Sequence, residues 1–397
     1  MERHQVLIIG GGNAGISVAA QLLRKRPKLD VAIVEPSEKH YYQPAWTLVG
    51  GGDYDVQKTV RPEASVMPKK AKWIKDRAEA FEPENQVVHL ASGKKVAYDF
   101  MVVCPGIQLR WEWVEGLEET LGKNGVASNY RFDLAPYTFE CIRNFKGGVA
   151  LFTNPATPIK CGGAPQKIMY LACDYWRKHG ILGKADVHFC TAGGVIFGVK
   201  KYADTLMKVV NRYGIHLDFK HNLVAIDGAR KEATFEVTQA DGSKEKKTMH
   251  FDMIHVTPPQ SAPDFIRNSP LADANGWVDV NKHTLQHTKY PNIFGIGDAT
   301  NTPNAKTGAA IRKQAPILVQ NLLEVMDGKQ PFASYNGYGS CPLVTGYGKL
   351  VLAEFDYDNN PIETFPFDQS KERWTMYQLK KHILPWLYWN KILKGTA

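Results

Sequence analysis

The most constraining feature of this 397-residue chain is its first turn. A short apolar run, Val6 to Ile9, feeds directly into Gly10-Gly11-Gly12-Asn13-Ala14-Gly15 and then into a helix-like stretch from Ile16 to Arg26. Strand, glycine turn and helix in that order are what a dinucleotide-binding βαβ unit requires. Gly10, Gly12 and Gly15 let the backbone approach a pyrophosphate, whose charge the helix N-terminus stabilises. Glu35 closes the second strand-like run 20 positions after Gly15, where a carboxylate can accept hydrogen bonds from ribose hydroxyls.

Two further elements extend the reading to a flavin. Phe294-Gly-Ile-Gly-Asp298 is an apolar strand that delivers an aspartate at its carboxyl end. It resembles the Gly-Asp element of the two-dinucleotide-domain flavoproteins, whose aspartate binds the ribityl chain of FAD. Tyr98-Asp-Phe-Met-Val-Val-Cys104-Pro-Gly106 resembles the strand and turn of the same proteins, with Cys104 where many relatives carry a small residue. Cys104 is expected to be packing.

Size and composition set limits. The length suggests two domains plus an appendage, and 44% apolar with 22% charged residues describes an ordinary folded chain. Net charge is +9, of which the last 27 residues hold six Lys/Arg against one Glu, so the basic excess is a local tail suited to a surface contact. No nucleic-acid groove is expected. Six irregularly spaced cysteines without a C-x-x-C pattern argue against a disulfide scaffold and against zinc or any other metal. No apolar run reaches the 18 or so residues of a membrane span. The first strand begins close to Met1, so the expectation is a chain without a leader, or one whose targeting segment has been removed.

Strand-like and helix-like runs alternate to about Arg143, which predicts a parallel sheet with crossover helices. A second βαβ begins at Gly147-Gly148: strand Val149 to Thr153, a Pro/Gly-rich loop, a helix from about Pro165 to His179, and a strand Asp186 to Cys190. The predicted organisation is α/β with two Rossmann-like domains: 1–145 for the first part of the FAD domain, 146–270 for the second domain, 271–334 for the return, and 335–397 for a C-terminal region. A helix is expected over about Thr307 to Met326, turn-linked strands over 335–367 and an amphipathic helix over 370–393.

The second βαβ lacks a glycine motif. Its turn, Asn154 to Pro165, carries prolines where a pyrophosphate turn needs glycines, which disfavours reduction by NAD(P)H. The same loop offers Cys161, just ahead of a helix start and beside Lys160 and Lys167. Helix N-terminus and cations both favour thiolate over thiol. Cys341 occupies another turn-like, Gly/Pro-flanked position. Cys141 and Cys173 fall in helix-like text and Cys190 ends a strand, where cysteine behaves as a small buried hydrophobe. Spacing alone does not bring Cys161 and Cys341 together.

His40 to Gly50, Pro158 to Tyr170, Phe197 to Ala203, His255-Val-Thr-Pro-Pro259, Ser340 to Tyr347, Ala353 to Tyr357 and Phe365 to Arg373 resemble sulfide:quinone oxidoreductases, in the branch that includes the mitochondrial enzyme. The resemblance implies that Cys161 and Cys341 form the redox pair, linked directly or through an extra sulfur. It implies FAD contacts from Asn13, Ala14, Glu35, Gln43, Asp298 and Lys306. Some prokaryotic branches use a third cysteine, but neither Cys104 nor Cys141 stands in a matching motif, so a two-cysteine cycle is expected. Hydrogen sulfide would open the disulfide, leaving a persulfide on Cys341 and a thiolate on Cys161 that passes two electrons to the flavin. An acceptor such as glutathione or sulfite would take the sulfane sulfur, and a ubiquinone-type quinone the electrons.

Candidate aromatic walls for the quinone are Phe355, Tyr357, Tyr347, Phe365 and Phe367. In the tail, Met376, Leu379, Ile383, Trp386 and Leu387 fall at helical spacing among Trp374, Trp389, Lys380, Lys381, Lys391 and Lys394, the composition of an interfacial helix. Packing of that helix on its own domain is the alternative, and Pro385 is expected to kink or divide it. The predicted setting is peripheral, on the cytoplasmic face of a bacterial inner membrane, or on the mitochondrial inner membrane if a targeting segment was removed. Competing functions are a membrane-associated NADH:quinone oxidoreductase and a non-catalytic redox-sensing flavoprotein.

Overall fold

A computed structural model describes residues 1–397. The run Val6 to Ile9 is buried in the strand Glu2–Ile9, which pairs in parallel with Val31–Val34 on one side and Lys95–Val103 on the other. Lys72–Ile74 extends the sheet beyond Val31–Val34, and Val87–Leu90 with Ala78–Glu82 adds an antiparallel flank. Ile293–Gly295 returns from far along the chain to pair in parallel with Lys95–Val103 as the seventh strand.

Register decides where this sheet can bind something. Ile9 pairs with Val34 and with Val103, and Val103 pairs with Gly295. Four parallel strands therefore end level, and the glycine turn, Glu35, Cys104-Pro-Gly106 and Asp298 all leave from that one carboxyl edge. Ligands of open α/β sheets bind outside this edge.

A second, wholly parallel sheet runs Val126–Ala127, Met253–His255, Gly148–Asn154, Ala185–Thr191, His216–Phe219. The helix Ala164–Lys178 crosses between its central strands, with Pro165 in its first turn, where the missing N–H costs nothing. His221–Asp227, Glu232–Thr238 and Lys244–His250 form a separate antiparallel sheet. The helix Gly308–Met326, capped by the Thr307 hydroxyl accepting from the Ala310 amide at 3.2 Å, shares a buried apolar core with Asn13–Lys25.

Within 335–367 the only regular strands are one antiparallel hairpin, Gly339–Gly346 with Lys349–Phe355. It packs on Ala164–Lys178: Leu343, Val351 and Ala353 join Ile168, Tyr170 and Ala172 in one core. The Tyr347 amide fixes the hairpin's end by donating to Asp174 at 2.9 Å.

The tail is divided near Pro385, as that residue leads one to expect. It runs as an α-helical turn Trp374–Gln378, a π-helical turn Leu379–Ile383, a short helix Leu384–Asn390 and a 3-10 turn Ile392–Lys394. Pro385 sits in the first turn of Leu384–Asn390 and has no amide to continue an α-helical ladder, so the wider π turn precedes it. The expected apolar stripe is thereby split. Met376 is buried, whereas Ile383 and Trp386 are 52% and 53% exposed, beside Trp374 at 64%. Tyr388, Trp389, Ile392 and Leu393 instead pack into the core that holds Asn13–Lys25. No helix is long and apolar enough to cross a membrane.

Candidate active site

The glycine turn has the geometry of a cofactor cradle. Gly10 has φ +106°, a region that side-chain-bearing residues rarely adopt, and a Cβ there would stand 2.6 Å from the Cys104 carbonyl oxygen. A Cβ on Gly15 would stand 1.8 Å from the Gly10 carbonyl oxygen. Around Gly12 nothing lies within 4 Å of that position, so space is open next to the helix N-terminus. Glu35 accepts from the Gly11 amide at 2.7 Å and from the Ser37 amide at 2.7 Å. Burial pushes its carboxyl up in pKa, those two amides oppose the shift, and the nearby Glu63 adds to it.

The remaining residues expected to touch a flavin converge on the same cleft. Ala14 lies against Gly297, where a Cβ would come within 3.6 Å of the Ala14 Cβ, and Asn13 faces Gly308 at the start of the returning helix. Asp298 presents a buried Oδ1 with no hydrogen-bond partner, an acceptor that a ribityl hydroxyl fits. Burial raises the Asp298 carboxyl, while Lys306 and Lys160 draw it back. Lys306 donates to the Thr300 carbonyl at 2.8 Å, and burial lowers its ammonium to about 8. Gln43 accepts from the Lys160 ammonium at 2.6 Å. The donor set, the open turn and the orphaned acceptor all fit a flavin dinucleotide.

Cys161 and Cys341 meet beside this cleft. The Cys161 amide donates to the Lys306 carbonyl at 2.7 Å, which fastens the cysteine loop to the flavin domain. Cys161 itself has φ +56°, a left-handed conformation that costs a β-carbon residue roughly 1–2 kcal/mol. Gly163 admits the hairpin: a Cβ there would be 2.3 Å from the Leu343 Cδ2 and 3.9 Å from the Cys341 Cβ. Cys341 thereby comes beside Cys161 and is the largest influence on its acidity. Helix Ala164–Lys178 aims the buried Lys167 ammonium at the Cys161 sulfur, 3.0 Å away.

These contacts divide the pair chemically. The Cys341 hydrogen bond, then the charge and hydrogen bond of Lys167, then the charge of Lys380 hold Cys161 well below the usual thiol range despite its burial. Cys341 moves the other way, raised by its bond to Cys161 and by burial. Cys161 is the thiolate and Cys341 the protonated partner. Cys104 and Cys173 are buried away from cations and pushed upward by burial, so they are inert thiols.

Lys380 carries no sequence signal for this site. Spacing places it among the lysines around an interfacial helix, yet it is 4% exposed, donates to the Pro44 carbonyl at 3.1 Å, and is lowered to about 7 by burial and by Lys167. The π turn rotates it inward. Tyr130 is a second unannounced neighbour, buried with its hydroxyl 3.4 Å from the Lys160 carbonyl and raised by burial and by Cys161. Its local sequence is equally silent.

The five aromatic candidates do not share one site. Tyr347, Phe365 and Phe367 pack together against Leu48, Leu171, Met376 and Tyr377, with the two phenylalanine rings stacked at 5.3 Å. Phe355 belongs to the second-domain core against Phe197, at 5.8 Å between ring centroids. Tyr357 packs on Tyr335 and donates to the Lys282 carbonyl at 2.6 Å.

Residues 4–136 match the family model described as pyridine nucleotide-disulphide oxidoreductase. The chain is 48% identical over 392 residues to the mitochondrial sulfide:quinone oxidoreductase of Mus musculus, covering 99% of this chain and 87% of that protein. The chain belongs to the sulfide:quinone oxidoreductase family. The enzyme of that name from Dictyostelium discoideum is 50% identical over 394 residues, covering 98% of this chain and 86% of its own length. The crystal structure of the Aquifex aeolicus sulfide:quinone oxidoreductase has the same fold, with a TM-score of 0.83 at 21% identity over all of this chain and 92% of the other. Membership makes the chain a flavin-dependent oxidoreductase.

In this family member, Lys167 and the Cys161 thiolate are tied by distance and charge. Lys167→Met should shift the pH profile of Cys161 alkylation to higher pH, because the cation that favours the thiolate is gone. At neutral pH iodoacetamide labelling should slow about tenfold. An unchanged profile would remove Lys167 from thiolate stabilisation.

Proposed function

We propose that the chain oxidises hydrogen sulfide through a Cys161–Cys341 disulfide or trisulfide, uses FAD, and reduces a ubiquinone-type quinone. The observation that carries this is the cysteine pair held beside the flavin cleft, among Lys160, Lys167 and Lys380. The lysines draw the hydrosulfide anion into a water-poor pocket. In the disulfide form, hydrosulfide attacks the Cys341 sulfur and the bond between the cysteines breaks. Cys341 keeps the new sulfur as a persulfide, and the electron pair leaves on Cys161, whose thiolate Lys167 stabilises. A nucleophile such as glutathione or sulfite then takes the sulfane sulfur, and the two cysteine sulfurs re-form their bond as two electrons depart. FAD held in the cleft would supply the two-electron acceptor for that pair and the route onward to the quinone. Gly10, Gly12, Gly15 and Glu35 would hold its adenosine end, and Asn13, Ala14, Gln43, Asp298 and Lys306 its flavin end.

Tyr347, Phe365 and Phe367 form the apolar wall proposed for the quinone, next to the tail at Met376 and Tyr377. Anaerobic titration tests the function. Sulfide, which in excess also serves as the nucleophile that takes the sulfane sulfur, should bleach the bound flavin, NADH should not, and a short-chain quinone should restore the colour. Bleaching by NADH alone would replace this reading with an NADH:quinone oxidoreductase, and indifference to both donors with a redox sensor.

The exposed Trp374, Ile383 and Trp386, with the basic tail, form a surface suited to the bilayer interface. The Mus musculus and Dictyostelium discoideum relatives are mitochondrial proteins, which supports the mitochondrial inner membrane over a bacterial one. Ile383→Asp with Trp386→Asp should weaken binding to vesicles containing anionic lipid by at least about tenfold, without loss of flavin. Equal sedimentation of the variant with vesicles would exclude this face.

A further inference from the structure

One buried network lies outside the chemistry above. Glu63 is 1% exposed; its Oε2 is 3.1 Å from the His40 Nδ1, while its Oε1 has no partner. The His40 Nε2 is in turn 2.6 Å from the Tyr388 hydroxyl, in the short helix Leu384–Asn390. At its other end the network reaches the glycine turn. A Cβ on Gly11 would stand 3.1 Å from the Glu63 Oε1 and 2.7 Å from the Glu35 Cβ, so both glutamates lie against one glycine.

A sealed carboxylate oxygen without a donor is costly, and nothing in the chain supplies one. The ligand read at this turn does, because an adenosine ribose brings two hydroxyl donors beside Glu35. We propose that Glu63 accepts a hydrogen bond from the adenosine ribose of FAD and, through His40 and Tyr388, couples cofactor binding to the seating of the C-terminal segment. The inference rests on FAD occupying the glycine turn and needs nothing from the sulfide chemistry.

The intervening residues can transmit that coupling. Tyr388 packs on Tyr42 at 4.8 Å between ring centroids, and Lys380 donates to the Pro44 carbonyl. The tail therefore grips the segment from His40 to Pro44, which carries Gln43, at both ends. A ribose that fixes Glu63 fixes His40, and a fixed His40 presents an ordered partner to Tyr388. Linkage makes the effect reciprocal: whatever tail seating adds to FAD affinity, FAD adds to tail seating.

The test uses the full chain, stripped of FAD with chaotropic salt and reloaded. Glu63→Gln and Tyr388→Phe should each weaken FAD binding about tenfold, read by quenching of free FAD fluorescence. Amide exchange over residues 384–394 should be about tenfold faster in the stripped parent than in the loaded parent, and the difference should vanish in Tyr388→Phe. That variant keeps its ring and its packing, so the test stands even if Glu63→Gln does not fold. Parent-like FAD affinity in Tyr388→Phe, together with tail exchange indifferent to FAD, would overturn the coupling. A parent that binds no FAD would overturn the cofactor reading and this inference with it.

Discussion

Cys161→Ser is expected to purify yellow and to stay yellow under anaerobic sulfide. The side chain contacts Lys167, whereas the cofactor cradle proposed above is built from the glycine turn, Glu35 and Asp298, so FAD should be retained. What is lost is the leaving thiolate and the bond that sulfide opens. Serine has no accessible anion at neutral pH and forms no disulfide, so flavin reduction should fall by at least about a thousandfold. Cys173→Ser is the control, since Cys173 is fully buried in the helix Ala164–Lys178 and raised by burial. It should be reduced at the parental rate in stopped flow. Parental reduction in the Cys161 variant would remove that residue from the mechanism.

A paired substitution in the glycine turn should separate folding from cofactor binding. Gly15→Ala places a Cβ 1.8 Å from the Gly10 carbonyl oxygen, a backbone atom that cannot turn away. It should cost about 3 kcal/mol or more and give an unstable, colourless protein. Gly12→Ala meets nothing within 4 Å, and Gly12 has φ −71°, which alanine adopts freely. The stripped variant should melt within about 0.5 kcal/mol of the parent in stability. Its methyl group nevertheless fills the space through which a pyrophosphate approaches the helix N-terminus, so FAD affinity should drop by about a hundredfold or more. Calorimetry of the stripped chains and FAD titration read the two effects apart. Full FAD affinity in Gly12→Ala would mean that the pyrophosphate does not use this turn.

Much of the first sheet is legible in the sequence because its signals are local. The run Val6 to Ile9, the glycines and Glu35 each encode backbone geometry within a few residues, and the strand and helix form where those signals fall. The second βαβ is equally plain, with observed bounds Gly148–Asn154, Ala164–Lys178 and Ala185–Thr191 within two residues of those expected. The tail is less so. Its spacing, counted at 3.6 residues per turn, reads as one stripe that Pro385 bends or divides, but the turn Leu379–Ile383 ahead of that proline is π-helical and the count misassigns faces within it. Lys380 is the consequence: a lysine that reads as solvated is buried against Pro44 and the cysteines. The aromatic candidates scatter for a similar reason, since an aromatic side chain packs equally well in a core and in a ligand wall.

By itself the sequence determined the open glycine turn at a helix start, a parallel sheet behind it, and a second βαβ whose turn holds a cysteine in place of glycines. Those are properties of contiguous residues: φ preferences, an amide-rich helix start, and prolines that forbid a pyrophosphate turn. Tertiary structure alone decided that Cys161 and Cys341 meet, because their contact depends on a hairpin fitting over the bare backbone of Gly163 and on Asp174 holding its end. It likewise decided which lysines face the sulfurs, and it joined Tyr388 to the glycine turn through His40 and Glu63. Such contacts arise from the packing of surfaces remote in sequence, and no periodicity along one segment encodes what another segment lays against it.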